Sequence, residues 1–249
     1  MQNYFYDLRY QVDNTEWRAR AKRELVFQLW KKYQPRGIEN QHIKLLDFGC
    51  GTGVLQEQFE ERFNIKSFGI DTSEKAIDYC KKRGLTKVKI FNGKKIPFQN
   101  NSFDLVTAID VLEHIKNDSG SLKEINRVLK KSGLAILLVP AHPKLWSTRD
   151  INLQHFRRYS KGELENKCLK AGFKLITTKN VDFAIYFLFS LIHKLAPKVE
   201  GIAKLKMDSA STNIIFNEIM FIYEQIENKL QNLVIFPVGL SILVVVQKI

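Results

Sequence analysis

The 249-residue sequence predicts one α/β domain, a seven-stranded and mostly parallel sheet with helices on both faces. Three observations carry this. Short apolar runs alternate with segments of helical periodicity along most of the chain. Capping signals punctuate them: Thr72 or Ser73 opens one helix, and the capping box Ser160-x-x-Glu163 opens another. The composition, 45% hydrophobic and 26% charged without repeats or low-complexity tracts, is that of a globular chain.

Residues 14–34 read as an amphipathic helix, with Trp17, Ala21, Leu25, Leu29 and Tyr33 at helical spacing and with Pro35 and Gly37 ending it. The first strand covers 44–48 and breaks into a glycine-rich turn, followed by a helix over 54–62. A second strand spans 67–71, and its helix runs to about Arg83. Strands follow at 88–91, 103–109 and 134–139. A helix over 121–130 precedes the last of these and is expected to end at Ser132-Gly133, as C-terminal glycines do. The helix after Ser160 ends at Ala171-Gly172, and a sixth strand covers 173–178. A helical, apolar stretch over 183–236 then precedes a final strand at 240–246. The chain therefore divides into an N-terminal helical lid (1–40), a core (41–182), a helical insertion (183–236) and the last core strand (237–249).

Bulk properties narrow the class. Cys50, Cys80 and Cys168 are scattered without C-x-x-C pairing, which fits a reduced, cytoplasmic chain with no disulfide framework and no zinc knuckle. Met1-Gln2-Asn3-Tyr4 has no signal-peptide character, and no apolar stretch is long enough to span a bilayer. The net charge of +13 allows nucleic acid or an anionic surface as partner. Its densest run, Lys81 to Lys95 with seven positive charges, lies around an edge strand and reads as a solvated face.

Ligands of such sheets bind beyond the carboxyl ends of the strands. After the first strand stands Asp47-Phe48-Gly49-Cys50-Gly51-Thr52-Gly53, a G-x-G-x-G turn in which bare backbone can approach a ligand. It is not the dinucleotide G-x-G-x-x-G, because position 54 is Val. Asp71 closes the second strand, where a carboxylate can accept both hydroxyls of a ribose. Asn92 ends the third strand and can face an adenine edge, and Asp110 follows the fourth. Asp47 is placed to fix the backbone amides of the turn.

These residues resemble the class I S-adenosylmethionine-dependent methyltransferases over nearly the whole chain. Leu45 through Gly53 looks like their first motif and Gly69-Ile70-Asp71 like their second. Phe91 through Phe98, followed by Asn101-Ser102-Phe103-Asp104, is similar to their G-D-A-E-x-L-P-F…N-S-F-D stretch, with Asn92 where the family generally has Asp. The resemblance implies a Rossmann-like fold whose last strand is antiparallel, and S-adenosylmethionine as cofactor. By it, Gly49, Cys50, Gly51 and Gly53 line the methionine part, Asp71 and Thr72 hold the ribose, Asn92 and Gly93 meet the adenine, and Asp110 lies under the sulfonium end.

Two segments offer a base for the methyl acceptor. Asp110-Val111-Leu112-Glu113-His114 looks like the D-V-L-E-H segment of many small-molecule O-methyltransferases, including those of ubiquinone biosynthesis. Its plainer reading is local hydrogen bonding; a divalent cation on Asp110, Glu113 and His114 would need all three on one side of a turn, and no metal is expected. The second runs from Pro140 to Tyr159 after the fifth strand and resembles a bacterial small-molecule methyltransferase subfamily with an H-x-R-R-Y loop. Here His155 is the first choice of base, with Asp150 orienting it and His114 as the alternative. Trp146, Arg157 and Tyr159 are the substrate-contacting candidates, with Arg157 or Arg158 clamping an anionic group, unless the loop is simply packed with Trp146 and Tyr159 as core aromatics. Trp17-Arg18-Ala19-Arg20 resembles the same subfamily and puts an arginine near the cofactor carboxylate, or else in a plain surface ion pair.

The apolar segments at 183–192 and 214–230 roof an apolar substrate, form a homodimer contact or dock in a membrane interface, in that order of preference. The expected activity is methylation of an oxygen or nitrogen on a small metabolite. A lipid- or membrane-associated acceptor is the alternative and an RNA acceptor the lesser one. Nucleic acid is disfavoured because residues 110–113 lack the [DNS]-P-P-[YFW] motif of base-amino enzymes.

Overall fold

The computed structural model describes residues 3–35, 42–195, 213–231 and 233–249. The expected helix stop at Gly37, the end of the 1–40 segment and the middle of the 183–236 insertion lie outside the described residues. Two helices, α1 (Asn3–Val12) and α2 (Trp17–Tyr33), lead into β1 (Lys44–Phe48), α3 (Val54–Phe63), β2 (Lys66–Asp71), α4 (Glu74–Lys82) and β3 (Val88–Ile90). The chain continues with β4 (Phe103–Ile109), α5 (Asp118–Val128), β5 (Leu129–Pro140), α6 (Thr148–Asn152), α7 (Lys161–Lys170) and β6 (Phe173–Val181). It ends with α8 (Phe183–Leu195), α9 (Ile214–Leu230) and β7 (Ser241–Lys248).

The seven strands form one sheet in the order β3-β2-β1-β4-β5-β7-β6. β7 runs antiparallel to both β5 and β6, and the other pairs are parallel. Strand order reverses between β1 and β4, so the crevice beyond their carboxyl ends is where a ligand is expected.

Side-chain alternation along each strand builds two cores. Leu46 and Phe48 of β1 point to the side where Leu122, Ile125 and Val128 of α5 and Leu164 of α7 pack. Leu45 points to the other, against Leu25, Leu29 and Trp30 of α2 and Phe59 of α3. Central β7 is apolar at every position from Ile242 to Val246, as burial on both faces requires.

One boundary departs from expectation. α5 starts at Asp118, where the Asn117 side chain caps it by accepting the Gly120 amide at 3.0 Å, and it stops at Val128. Leu129 already pairs with Phe103, so residues 129–133 belong to β5. Ser132, with φ 63°, takes the left-handed position that a C-terminal glycine was expected to supply.

α9 has the bounds that its isoleucine spacing suggests, but its inward face is polar. Asn217, Glu224, Glu227 and Asn228 are buried, whereas Ile215, Ile219, Ile222 and Ile226 are more than half exposed. The polar face is held by specific partners: Asn217 accepts the Trp17 amide at 3.1 Å, and Glu227 accepts the Phe183 amide that opens α8 at 2.8 Å. No described helix is long and apolar enough to cross a membrane.

Candidate cofactor and acceptor site

Gly49, Gly51 and Gly53 all adopt positive φ in the turn between β1 and α3. Their surroundings differ. A Cβ on Gly49 would lie 2.4 Å from Val111 Cγ2, and one on Gly53 would lie 2.6 Å from Leu85 Cδ1. At Gly51 it would meet nothing within 4 Å. Two glycines thus serve close packing, and the middle one leaves room in the crevice.

The turn is pinned to β2. The Gly49 and Cys50 amides donate to the Ile70 carbonyl at 2.8 and 3.0 Å, and the Gly51 amide donates to Asp71 Oδ2 at 2.9 Å. Asp71 Oδ1 accepts the Ser73 amide at 2.9 Å and the Tyr6 hydroxyl at 3.3 Å. Burial nevertheless raises its pKa above the ordinary carboxylate value. Asp71, not Asp47, therefore takes a loop amide. Asp47 lies beneath the turn, accepts the Thr107 hydroxyl at 2.7 Å and is pushed up to about 7 by burial.

A cavity of 460 Å³ opens over this turn, within the size range of small-molecule sites. Gly49, Cys50, Gly51 and Thr52 of the turn line it together with Thr72, Phe91 and Gly93; Gly53, expected beside the ligand, does not, because it packs against Leu85 and Cys80. Nor does Asn92; its side chain is exposed, and its oxygen accepts the Lys94 amide at 3.1 Å. Tyr6 of α1, Asp13 of the connection, Arg18 and Lys22 of α2 and Phe189 of α8 line it as well.

Next to Gly49, whose neighbour is Val111, the cavity is lined by Asp110, Glu113, His114 and His155. Asp110 follows β4 at φ 54° and pairs with Lys22 at 2.5 Å. Burial alone would raise its pKa, but Lys22 and Arg18 hold it below the ordinary value. Glu113 sits on a single helical turn, residues 112–114, and is 1% exposed. Its Oε2 finds no hydrogen-bond partner, and burial, reinforced by Asp110, pushes its carboxyl well above the usual range. Burial, then the neighbouring His155, pushes His114 down to about 4, against a hydrogen bond with the Gln154 backbone.

The loop after β5 completes this part of the lining. Asp150, fully buried at the start of α6, lies 2.9 Å from His155 Nδ1 and accepts Arg158 Nε at 2.8 Å. Its second oxygen accepts the Ser147 amide at 2.9 Å in a capping box. Burial alone would raise its pKa, but these partners hold it well below the carboxylate range. The Phe156 amide donates to the Glu113 carbonyl at 2.7 Å, tying the two segments together. The His114 and His155 rings meet edge to face with centroids 4.7 Å apart.

Trp146, Arg157 and Tyr159 do not line this cavity. Tyr159 is fully buried and donates to Asp118 Oδ2 at 2.8 Å, and Arg157 pairs with Asp118 at 2.9 Å. Arg149, Arg158 and Phe189 line the cavity instead. Of the two arginines the sequence offered as a clamp, Arg158 is the one that lines the cavity. Nothing in the sequence pointed to Tyr6, which reaches Asp71 only because α1 packs beside α4. Arg18 lines the cavity and is paired with the buried Asp182 at 2.5 Å rather than in a surface ion pair.

A parallel sheet reversing at β1/β4, with a glycine turn and an acidic strand end at the reversal, is the frame of nucleoside-binding α/β proteins. Residues 46–137 match a family described as a methyltransferase domain. A demethylmenaquinone methyltransferase of Geobacillus stearothermophilus is 33% identical over 137 residues, which cover 51% of this chain and 58% of that protein. The chain thus spans little more than half the length of that relative. An uncharacterized protein of Methanocaldococcus jannaschii is 31% identical over 182 residues, covering 71% of this chain and 72% of its own. In fold, the phosphoethanolamine N-methyltransferase 2 of Haemonchus contortus, solved with S-adenosyl-L-methionine, superposes with a TM-score of 0.58 at 18% identity, covering 89% of this chain and 51% of that one. The chain belongs to the class I S-adenosylmethionine-dependent methyltransferases.

Proposed function

We propose that this protein transfers the methyl group of S-adenosylmethionine to an oxygen or nitrogen of a small metabolite. The observation that carries the reading is one cavity whose lining combines two unlike sets of groups: the Gly51 amide, locked to the Asp71 carboxylate beside a Cα with open space before it, and the side chains of Glu113, His114 and His155. When bound, the cofactor supplies an electrophilic methyl carbon on a cationic sulfur.

The residues present suit that ligand. Gly49, Cys50 and Gly51 border the methionine part, while Gly53 packs behind the turn; Asp71 with Thr72 takes the ribose hydroxyls, one of them in place of the Tyr6 hydroxyl, which at 3.3 Å is the longest of its present bonds. Gly93, with Phe91, faces the adenine, and Asn92 reaches it only by leaving its Lys94 amide. Asp110 borders the sulfonium end. With Asp150 holding Nδ1–H, His155 keeps Nε2 as the basic nitrogen to receive the acceptor's proton. Arg149, which lines the cavity where Arg157 does not, is the candidate to orient an anionic acceptor; Arg158 also lines it but is held by Asp150.

One observation favours a second reading, an acceptor presented by a lipid surface: Phe187, Leu188 and Leu191, on the same helix as the cavity-lining Phe189, are exposed, as is the isoleucine face of α9. The test is transfer of labelled methyl from S-adenosylmethionine to panels of catechols, quinols and amines, with and without vesicles. Transfer that needs vesicles selects the second reading. No transfer to any panel, with no cofactor binding, contradicts both.

A further inference from the structure

We propose that Glu113, His114 and His155 bind a divalent first-row transition-metal ion. One ligand atom from each lies within 4.8 Å of the others, so a point between them is no more than about 2.8 Å from any donor. Metal–nitrogen and metal–oxygen bonds of about 2.0–2.2 Å need each side chain to close by well under an ångström.

Both imidazoles are already oriented from behind. His155 gives Nδ1 to Asp150, itself fixed by Arg158 and Ser147, and His114 is hydrogen-bonded to the Gln154 backbone. Metal-bound histidines characteristically have such partners on the far nitrogen. The third ligand supplies the independent sign. Glu113 is buried, yet one of its oxygens faces no donor, a state that a proton or a cation must relieve. Nearby cations are committed elsewhere, Lys22 to Asp110 and Arg158 to Asp150.

Asp110 was the expected third ligand, and the chain brings in His155 instead. That change matters chemically. Two imidazoles and one carboxylate suit zinc, manganese or iron(II) rather than magnesium or calcium, which want oxygen donors. Three protein ligands leave coordination positions open toward the cavity. If the methyl-transfer reading holds, an acceptor hydroxyl bound to the ion gives up its proton to solvent, and His155, the base of the metal-free protein, is a ligand in the metal-bound one.

The test uses tag-free, chelator-stripped protein titrated with cobalt(II), followed by calorimetry and visible absorption. One equivalent should bind with d–d bands, and zinc should displace it. Glu113→Gln is isosteric and removes only the charge; it should weaken binding at least as much as a lost outer-shell partner does, about 10–100-fold. Asp150→Asn should fall within that range. Absence of saturable binding, or Glu113→Gln and His114→Ala proteins that fold and bind cobalt as the parent does, overturns the site. Titration of the stripped protein with S-adenosylmethionine tests the methyl-transfer reading separately, because failure there leaves the cobalt result standing.

Discussion

A methyl group added at Gly51 points into open cavity, while the same group at Gly53 drives into Leu85 and Cys80 at 2.6 and 2.9 Å. Both glycines hold positive φ, so either alanine variant bears the left-handed penalty of roughly 1–2 kcal/mol. Gly53→Ala adds overpacking of a tight contact, about 1–3 kcal/mol more. Gly51→Ala should therefore lose about 1–2 kcal/mol of stability and Gly53→Ala about 2–5 kcal/mol. Binding should respond in the opposite order. At a hundredfold excess over Kd, a ligand stabilises the folded parent by about 2.7 kcal/mol, and Gly51→Ala should forfeit that gain because its Cβ occupies the space before the ligand. Urea unfolding with and without S-adenosylhomocysteine measures both terms on one protein. If Gly51→Ala is stabilised by the ligand as fully as the parent, the middle glycine does not border the cofactor.

Three further expectations follow from individual side chains. Asp71→Ala should weaken cofactor affinity at least 100-fold, since each hydrogen bond to a charged group is worth about 1.5–3 kcal/mol; calorimetry reads this directly, and an unchanged Kd contradicts the ribose assignment. His155→Ala should abolish turnover while cofactor affinity persists, and unchanged turnover would remove His155 from the chemistry. Asp47 has its folded pKa raised from 3.8 to about 7, so the folded state holds the extra proton. Its contribution is greatest below about pH 4 and declines as pH rises toward 7, by about 4 kcal/mol in all. Unfolding free energies from pH 4 to 7 should fall less steeply in Asp47→Asn, and parallel slopes would refute the assignment.

The sheet and the cofactor wall were readable because each rests on local signals. The run from Leu45 to Asp71 contains strand, turn, helix and strand with their own punctuation, and its acidic residue falls at a strand end by sequence position alone. What could not be read depends on partners distant in the chain. The spacing of Ile215, Ile219, Ile222 and Ile226 gives a helix but not its inward face, which is set by polar contacts to α2 and α8 some 200 and 44 residues away. Likewise Asp110, Glu113 and His114 are adjacent in sequence, yet Lys22 claims the first and His155 joins the others. Ser132 replaces glycine in a left-handed position because strand pairing at Leu129 begins before the expected helix end.

The most direct measurement is a calorimetric titration of the purified protein with S-adenosylmethionine, alongside its Asp71→Ala variant. Saturable binding at one site per chain, lost or severely weakened in the variant, is the predicted result. Absence of binding by the parent, or equal affinity in the two proteins, would contradict a cofactor gripped between the glycine turn and the tip of β2.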